Sequence, residues 1–220
     1  MKVKICGMKR REDVVTACYE GADAVGFIVG AVYRTNDEVS VAEVEQLKRW
    51  VPSFVTPVLV THFTTPEAIV AIAEEVRIKT LQLHGDVSPE GIIRVRRKLP
   101  DCTIIKAVHV VDERAVEVAK EYSKVADIIL LDSRTTDRIG GTGVVHDWSI
   151  SARIVRELDI PVILAGGLTP DNVASAIRVV KPYGVDVNTG TKGANGYKDP
   201  EKIRAFIRNA RGINHRCYTH

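Results

Sequence analysis

The chain has 220 residues, 45% of them apolar and 27% charged, and its 31 Lys and Arg against 28 Asp and Glu leave a net charge of +3. This suits one globular domain with a sizeable core and excludes a disordered or fibrous chain. The charges are spread along the sequence, so no concentrated basic face for nucleic acid is expected, and no apolar run reaches the ~20 residues of a membrane-spanning helix.

The first strand begins at once, with Lys2–Cys6, and no charged region followed by a long apolar stretch precedes it, so a cytoplasmic location is expected. Further β-branched segments follow at Asp23–Val29, Pro57–Thr61, Ile78–Leu83, Thr103–Ala107, Ala126–Leu131, Pro161–Ala165 and Gly184–Thr189. Stretches of helical period lie between them: Arg11–Glu20, Val41–Trp50, Pro66–Val76, Pro89–Leu99, Asp112–Tyr122, Ser149–Leu158, Pro170–Val180 and Pro200–Ala210. Thr65-Pro66, Ser88-Pro89, Thr169-Pro170 and Asp199-Pro200 read as helix starts, a side-chain acceptor followed by proline at the first helical position. Eight strand–helix units, about 27 residues each, are the arithmetic of a closed (βα)₈ TIM barrel, whose lower limit is about 200 residues. The continuous apolar run Ile128–Leu131 fits a parallel sheet covered on both faces, which an open doubly wound sheet would also satisfy. The expected fold is therefore an α/β, single-domain (βα)₈ barrel over residues 1–212, with a polar tail over 213–220.

In such a barrel the chemistry sits at the C-terminal ends of the strands. Those ends carry Cys6-Gly7, Arg34, His62, Gln82, His84-Gly85, Lys106, Asp132-Ser133, Gly166-Gly167 and Asp186 through Gly190. Gly166 and Gly167 after strand seven, with Thr189 and Gly190 after strand eight, form a pair of loops whose backbone N–H groups suit a phosphate. Taken singly, such glycines equally serve plain turns. Cys6 reads either as an inert buried hydrophobe or, beside cations that draw its thiol toward neutrality, as a base. Asp132 reads either as a cap or as an acid acting across the mouth from Cys6. Cys6, Cys18, Cys102 and Cys217 are scattered without metal-site spacing, so free thiols and no metal are expected.

The strings Lys4-Ile-Cys-Gly7, Asp23-Ala-Val-Gly-Phe27, Leu81-Gln-Leu-His-Gly85, Leu130-Leu-Asp-Ser133, Gly140-Gly-Thr-Gly143, Asp147-Trp148, Leu164-Ala-Gly-Gly-Leu168 and Gly184-Val-Asp-Val187 with Lys198-Asp199 run in order. Together they closely resemble the phosphoribosylanthranilate isomerase family of tryptophan biosynthesis. The resemblance implies an Amadori rearrangement of N-(5-phosphoribosyl)anthranilate that needs no cofactor, with Asp132 as general acid at the furanose oxygen and Cys6 as base at C2′. It also implies phosphate loops at Gly166, Gly167, Thr189 and Gly190, a sugar-hydroxyl ligand in Asp186, a closing loop at Gly141, Thr142 and Gly143, and pocket-lining roles for Gln82 and His84. A hydrogen-bonded structural role for His84 stands beside the last of these.

Two places depart from the family pattern. The loop Gly30–Glu38 lacks the family's Ser-Pro-Arg, which leaves Arg34 to meet the anthranilate carboxylate, and Asn188-Thr-Gly-Thr-Lys192 replaces Ser-Ser-Gly-Val-Glu, so Lys192 adds an anion contact or is solvated. These changes keep open a related barrel isomerase acting on another aminated phosphosugar, and a non-catalytic phospho-ligand binding barrel. The expected partner is a small phosphosugar, with neither nucleic acid nor membrane, and the chain is a monomer or a homodimer.

Overall fold

Alternation along each strand divides the apolar residues into two sets, which face inward and toward the helices when the sheet closes on itself. The computed structural model, which describes residues 1–31, 35–135, 138, 139 and 147–212, shows this closure. Its strands are β1 (Lys2–Ile5), β2 (Ala24–Ile28), β3 (Thr56–Thr61), β4 (Thr80–Leu83), β5 (Thr103–Val110), β6 (Ile128–Thr135), β7 (Val162–Leu164) and β8 (Gly184–Val187). Each runs parallel to the next, β1 pairs with β8, and the pairing of β5 with β6 joins the two arcs into a closed (βα)₈ barrel. Arg138–Ile139 forms a short antiparallel ribbon with the end of β6.

Helices α1 (Arg11–Tyr19), α2 (Val41–Leu47), α3 (Pro66–Val76), α4 (Pro89–Lys98), α5 (Arg114–Ser123), α6 (Trp148–Glu157), α7 (Val173–Val180) and α8 (Pro200–Gly212) pack outside. Apolar side chains between strands and helices make the larger core, centred on residues such as Ile5, Phe27, Leu59, Leu81, Ile129 and Phe206. A smaller cluster fills the barrel interior: Cys6, Ile28, Val58, Val60, Ile105, Ala107, Leu130, Ile163 and Ala165. The interior is thus a packed core, and polar side chains occupy only its upper end. Among the described residues no helix is long and apolar enough to cross a membrane. Cys6, Cys18 and Cys102 are free thiols.

Two of the expected helix starts are capped: Ser88 Oγ accepts from Gly91 N at 3.1 Å, and Asp199 Oδ1 accepts from Glu201 N at 2.9 Å. Thr65 precedes Pro66 without a side-chain cap bond. Pro170 does not open α7, which begins at Val173, because Asn172 Oδ1 takes Thr169 N at 2.8 Å and holds residues 169–172 in a turn. The largest difference concerns β5 and β6. Both run past the segments that mark them in the sequence: their shared ladder continues to Val110 and Ser133, and pairing with Arg138–Ile139 carries β6 on to Thr135.

The structure predicts a sharp penalty for emptying the interior. Leu130→Ala, at a fully buried position of the inner cluster, is expected to cost about 2–5 kcal/mol in urea unfolding, with an unchanged slope.

Candidate active site

The polar strand ends divide into two groups on opposite arcs of the mouth. Consecutive strands β3, β4, β5 and β6 deliver His62, His84, His109 and Asp132, with His109 and Asp132 directly paired in register. His84 Nε2 lies 3.3 Å from Asp132 Oδ2, and Ser133 N donates to Asp132 Oδ1 at 2.8 Å. Gln82 Nε2 is 3.2 Å from His84 Nδ1, a contact that turns the Nε2–H of His84 toward Asp132. His62 and His109 flank His84, their ring centroids 4.9 and 5.3 Å from its own. Burial works against charge on Asp132, yet the hydrogen bond from His84, the nearby imidazoles and Ser133 N outweigh it and hold the carboxyl below its usual range. Burial, helped by His84 and His109, lowers His62 to about 4.

The other arc belongs to β1 and β8. Lys4 Nζ donates to Asp186 Oδ2 at 2.8 Å, both residues being buried, and Asp186 Oδ1 is buried without a hydrogen bond among the described residues. Burial opposes the charge of Lys4, but Asp186 and Cys6 raise its proton affinity above the ordinary lysine value. Cys6 stands just past Ile5. Gly26 on β2 makes room for it, since a Cβ there would sit 2.8 Å from the sulfur. The sequence expectation that neighbouring cations draw this thiol toward neutrality is not met. Its complete burial pushes the thiol up, and Lys4 and Lys198 only partly oppose that.

Lys198, which sequence reading did not single out, donates to Asn188 O at 2.7 Å and Thr191 Oγ1 at 3.2 Å, and burial lowers it to about 8. Lys192 is neither solvated nor turned to an anion from outside. It pairs with Asp37 at 2.5 Å, and Asn188 Nδ2 holds the same carboxylate at 2.9 Å. Gly30 N and Ala31 N both donate to Glu38 Oε1, at 3.0 and 2.9 Å, so the β2 loop is pinned at each end. Arg34 itself, with Gly141, Thr142 and Gly143, lies outside the described residues, as does the tail 213–220.

β7, between the two arcs, and β8 carry the glycine loops. Gly166 has φ +79° and lies so close to β6 that a Cβ would meet Ser133 N at 2.2 Å. Gly190 opposes Leu168 O, where a Cβ would fall 2.0 Å away, so the loops after β7 and β8 touch backbone to backbone. Lys106, expected at a strand end, lies in the middle of β5 and points to the helix side: its Nζ donates to Gly85 O at 3.0 Å and to Ala107 O at 2.6 Å. His109 lies past Ala107, where the expected strand ended, whereas His62 was visible as a strand end.

Residues 3–209 match the family described as N-(5′-phosphoribosyl)anthranilate (PRA) isomerase. The chain belongs to this isomerase family. It is 43% identical to N-(5′-phosphoribosyl)anthranilate isomerase 2 of Methanosarcina mazei over 96% of this chain and 94% of that one. The crystal structure of the Thermotoga maritima isomerase superposes with a TM-score of 0.85 at 35% identity, covering 96% and 99% of the two chains. A second isomerase structure, solved with reduced 1-(o-carboxyphenylamino)-1-deoxyribulose 5-phosphate, gives a TM-score of 0.82 at 34% identity, covering 96% and 99%.

His62 supplies a measurable consequence of this packing. Between pH 6.5 and about 4 the unfolded chain carries a proton on this ring that the native ring refuses, so stability falls as pH is lowered through that window. A His62→Gln variant is expected to flatten this part of the stability profile in urea unfolding at stepped pH. An unchanged slope would remove His62 as its source.

Proposed function

We propose that this chain isomerises N-(5-phosphoribosyl)anthranilate to 1-(o-carboxyphenylamino)-1-deoxyribulose 5-phosphate, with Asp132 as general acid and Cys6 as general base. The observation that carries the assignment is the placing of these two groups. Both are buried at the ends of strands, on β6 and next to β1, and the two strands separating them, β7 and β8, are those that bear the glycine loops. A phosphosugar anchored by Gly166, Gly167, Thr189 and Gly190 therefore has an acid toward one side and a base toward the other.

Asp132 protonates the furanose ring oxygen, the C1′–O bond breaks, and the aniline nitrogen supplies the electron pair that makes a C1′ iminium. The iminium acidifies C2′–H. Cys6 removes that proton, the C–H pair becomes the C1′–C2′ π bond of an enolamine, and tautomerisation gives the ketone at C2′. The hydride equivalent stays within the substrate, so the rearrangement balances with no external oxidant or reductant and no cofactor.

The resting ionisation of both groups favours the opposite forms. Asp132 is held as a carboxylate and Cys6 as a thiol. Substrate binding works against both tendencies: two substrate anions raise the proton affinity of Asp132, and the developing iminium favours the thiolate. His84, whose Nε2 faces Asp132, is placed to resupply the acid with its proton. Asp186 Oδ1 is oriented to accept from a sugar hydroxyl, Gln82 and His84 line the pocket, and the loop of Gly141, Thr142 and Gly143 closes over the ligand. Arg34 takes the anthranilate carboxylate, a pairing that suits a planar guanidinium.

Turnover of freshly generated phosphoribosylanthranilate, followed by loss of its fluorescence, tests the reading. Asp132→Asn and Cys6→Ser are each expected to lower kcat at least about a hundredfold with phosphate affinity retained. Unimpaired turnover in either variant would strike that residue from the mechanism. Arg34→Ala is expected to weaken an aryl-carboxylate product analogue by about 2–4 kcal/mol while sparing ribose phosphates; equal losses for both ligands would refute its role.

A further inference from the structure

We propose that His84, His109 and Asp132 form a binding site for a divalent transition-metal ion of the zinc type, and that an ion held there competes with the isomerase reaction. The ligand atoms of these three residues all lie within 4.8 Å of one another. His84 Nε2 and Asp132 Oδ2 stand 3.3 Å apart. Two ligands of a tetrahedral zinc ion, each about 2.0–2.1 Å from the metal, are separated by about 3.3 Å, so one edge of the coordination polyhedron is already set. The third ligand comes from the neighbouring strand, where His109 is the register partner of Asp132. Its ring centroid is 5.3 Å from that of His84 and steeply inclined to it, at 76°. His109 is only half-buried and stands near the upper end of β5.

The surroundings orient these ligands. Ser133 N holds Asp132 Oδ1, which leaves Oδ2 turned to His84. Gln82 is the partner of the other His84 nitrogen, and its own Oε1 is buried without a hydrogen bond among the described residues. A half-turn of that amide brings Oε1 to Nδ1. The imidazole proton then resides on Nδ1, hydrogen-bonded to Gln82, and the Nε2 lone pair faces the ion. A histidine backed in this way by an acceptor is the usual outer support of a metal ligand.

Two imidazoles and one carboxylate favour zinc, cobalt, nickel or copper over magnesium or calcium, and three protein ligands leave a position for water. No sequence motif announces the set, because each ligand comes from a different strand. The competition rests on the reading of Asp132 as general acid: an ion on Oδ2 occupies the oxygen that has to carry the proton.

Co²⁺ titrated into the full-length protein tests the proposal, with visible d–d absorption as a readout independent of turnover. The expected result is one ion per chain, displaced by Zn²⁺ and not by Mg²⁺, with affinity lowered at least about tenfold in His84→Ala and His109→Ala. Gln82→Leu should weaken it about 10–100-fold. Turnover of the wild type should fall over the same Co²⁺ range, and that of His109→Ala should resist it. Absence of stoichiometric binding overturns the site. So does binding that survives both histidine variants, which would put the ion elsewhere, for instance on His215, Cys217 and His220 of the tail. A saturated site with full turnover overturns the competition, and the fault then lies with Asp132 as acid, because the spectrum reports the site separately.

Discussion

A closed eight-stranded sheet can fill its interior only with alternate residues from each strand, and the arrangement of this mouth depends on that constraint. Ile105, Ala107, Leu130 and Ile163 occupy the interior and exclude water below the site. The next inward positions, at the strand ends, are therefore the first that can hold polar groups, and they are pressed together by the narrow circumference. Four strands in a row supply His62, His84, His109 and Asp132; the closing strands supply Lys4, Cys6 and Asp186. Their proximity follows from register, since one residue of slip would turn every one of them toward the helices.

Crowding polar groups into a dry space sets their protonation. Lys4 and Asp186 satisfy each other as an ion pair, which leaves Cys6 a buried thiol between a cation and an anion. Asp132 keeps its charge because His84, His109 and Ser133 N around it outweigh burial, while His62 loses its charge chiefly because it is buried, with His84 and His109 adding to the effect. The two halves of the mouth are thus biased in opposite senses, and in the proposed mechanism an anionic substrate that becomes an iminium shifts both toward their working forms. The side proposed to transfer a proton through Asp132 is also the side whose donor atoms lie within 4.8 Å of one another, so the two proposed chemistries would exclude each other.

A second tie holds the entrance. Asp37, at the far end of the β2 loop, is gripped by Lys192 and by Asn188, while Glu38 accepts from the two residues at the loop's start. The departures from the family pattern at Gly30–Glu38 and at Asn188–Lys192 are therefore coupled: the lysine that replaces an acid after β8 meets an aspartate supplied by the altered loop. Lys198 joins the same knot from below through Asn188 O and Thr191 Oγ1.

The sequence by itself determined the eight-fold strand–helix order, the parallel sheet, and Cys6, Asp132 and the glycine pairs as residues at strand ends, because side-chain alternation, helical period and cap chemistry are local. It also carried the family likeness, since the motifs are contiguous strings. Only the tertiary structure decided which polar groups meet. His109 was illegible because nothing local distinguishes a histidine within Val108–Val111 from a surface one, whereas the hydrogen-bond ladder with β6 makes it the register partner of Asp132. The partner of Lys192 and the upward push on the Cys6 thiol were equally hidden, for a charge's neighbours and its loss of water come from residues 155 positions away in the chain or more.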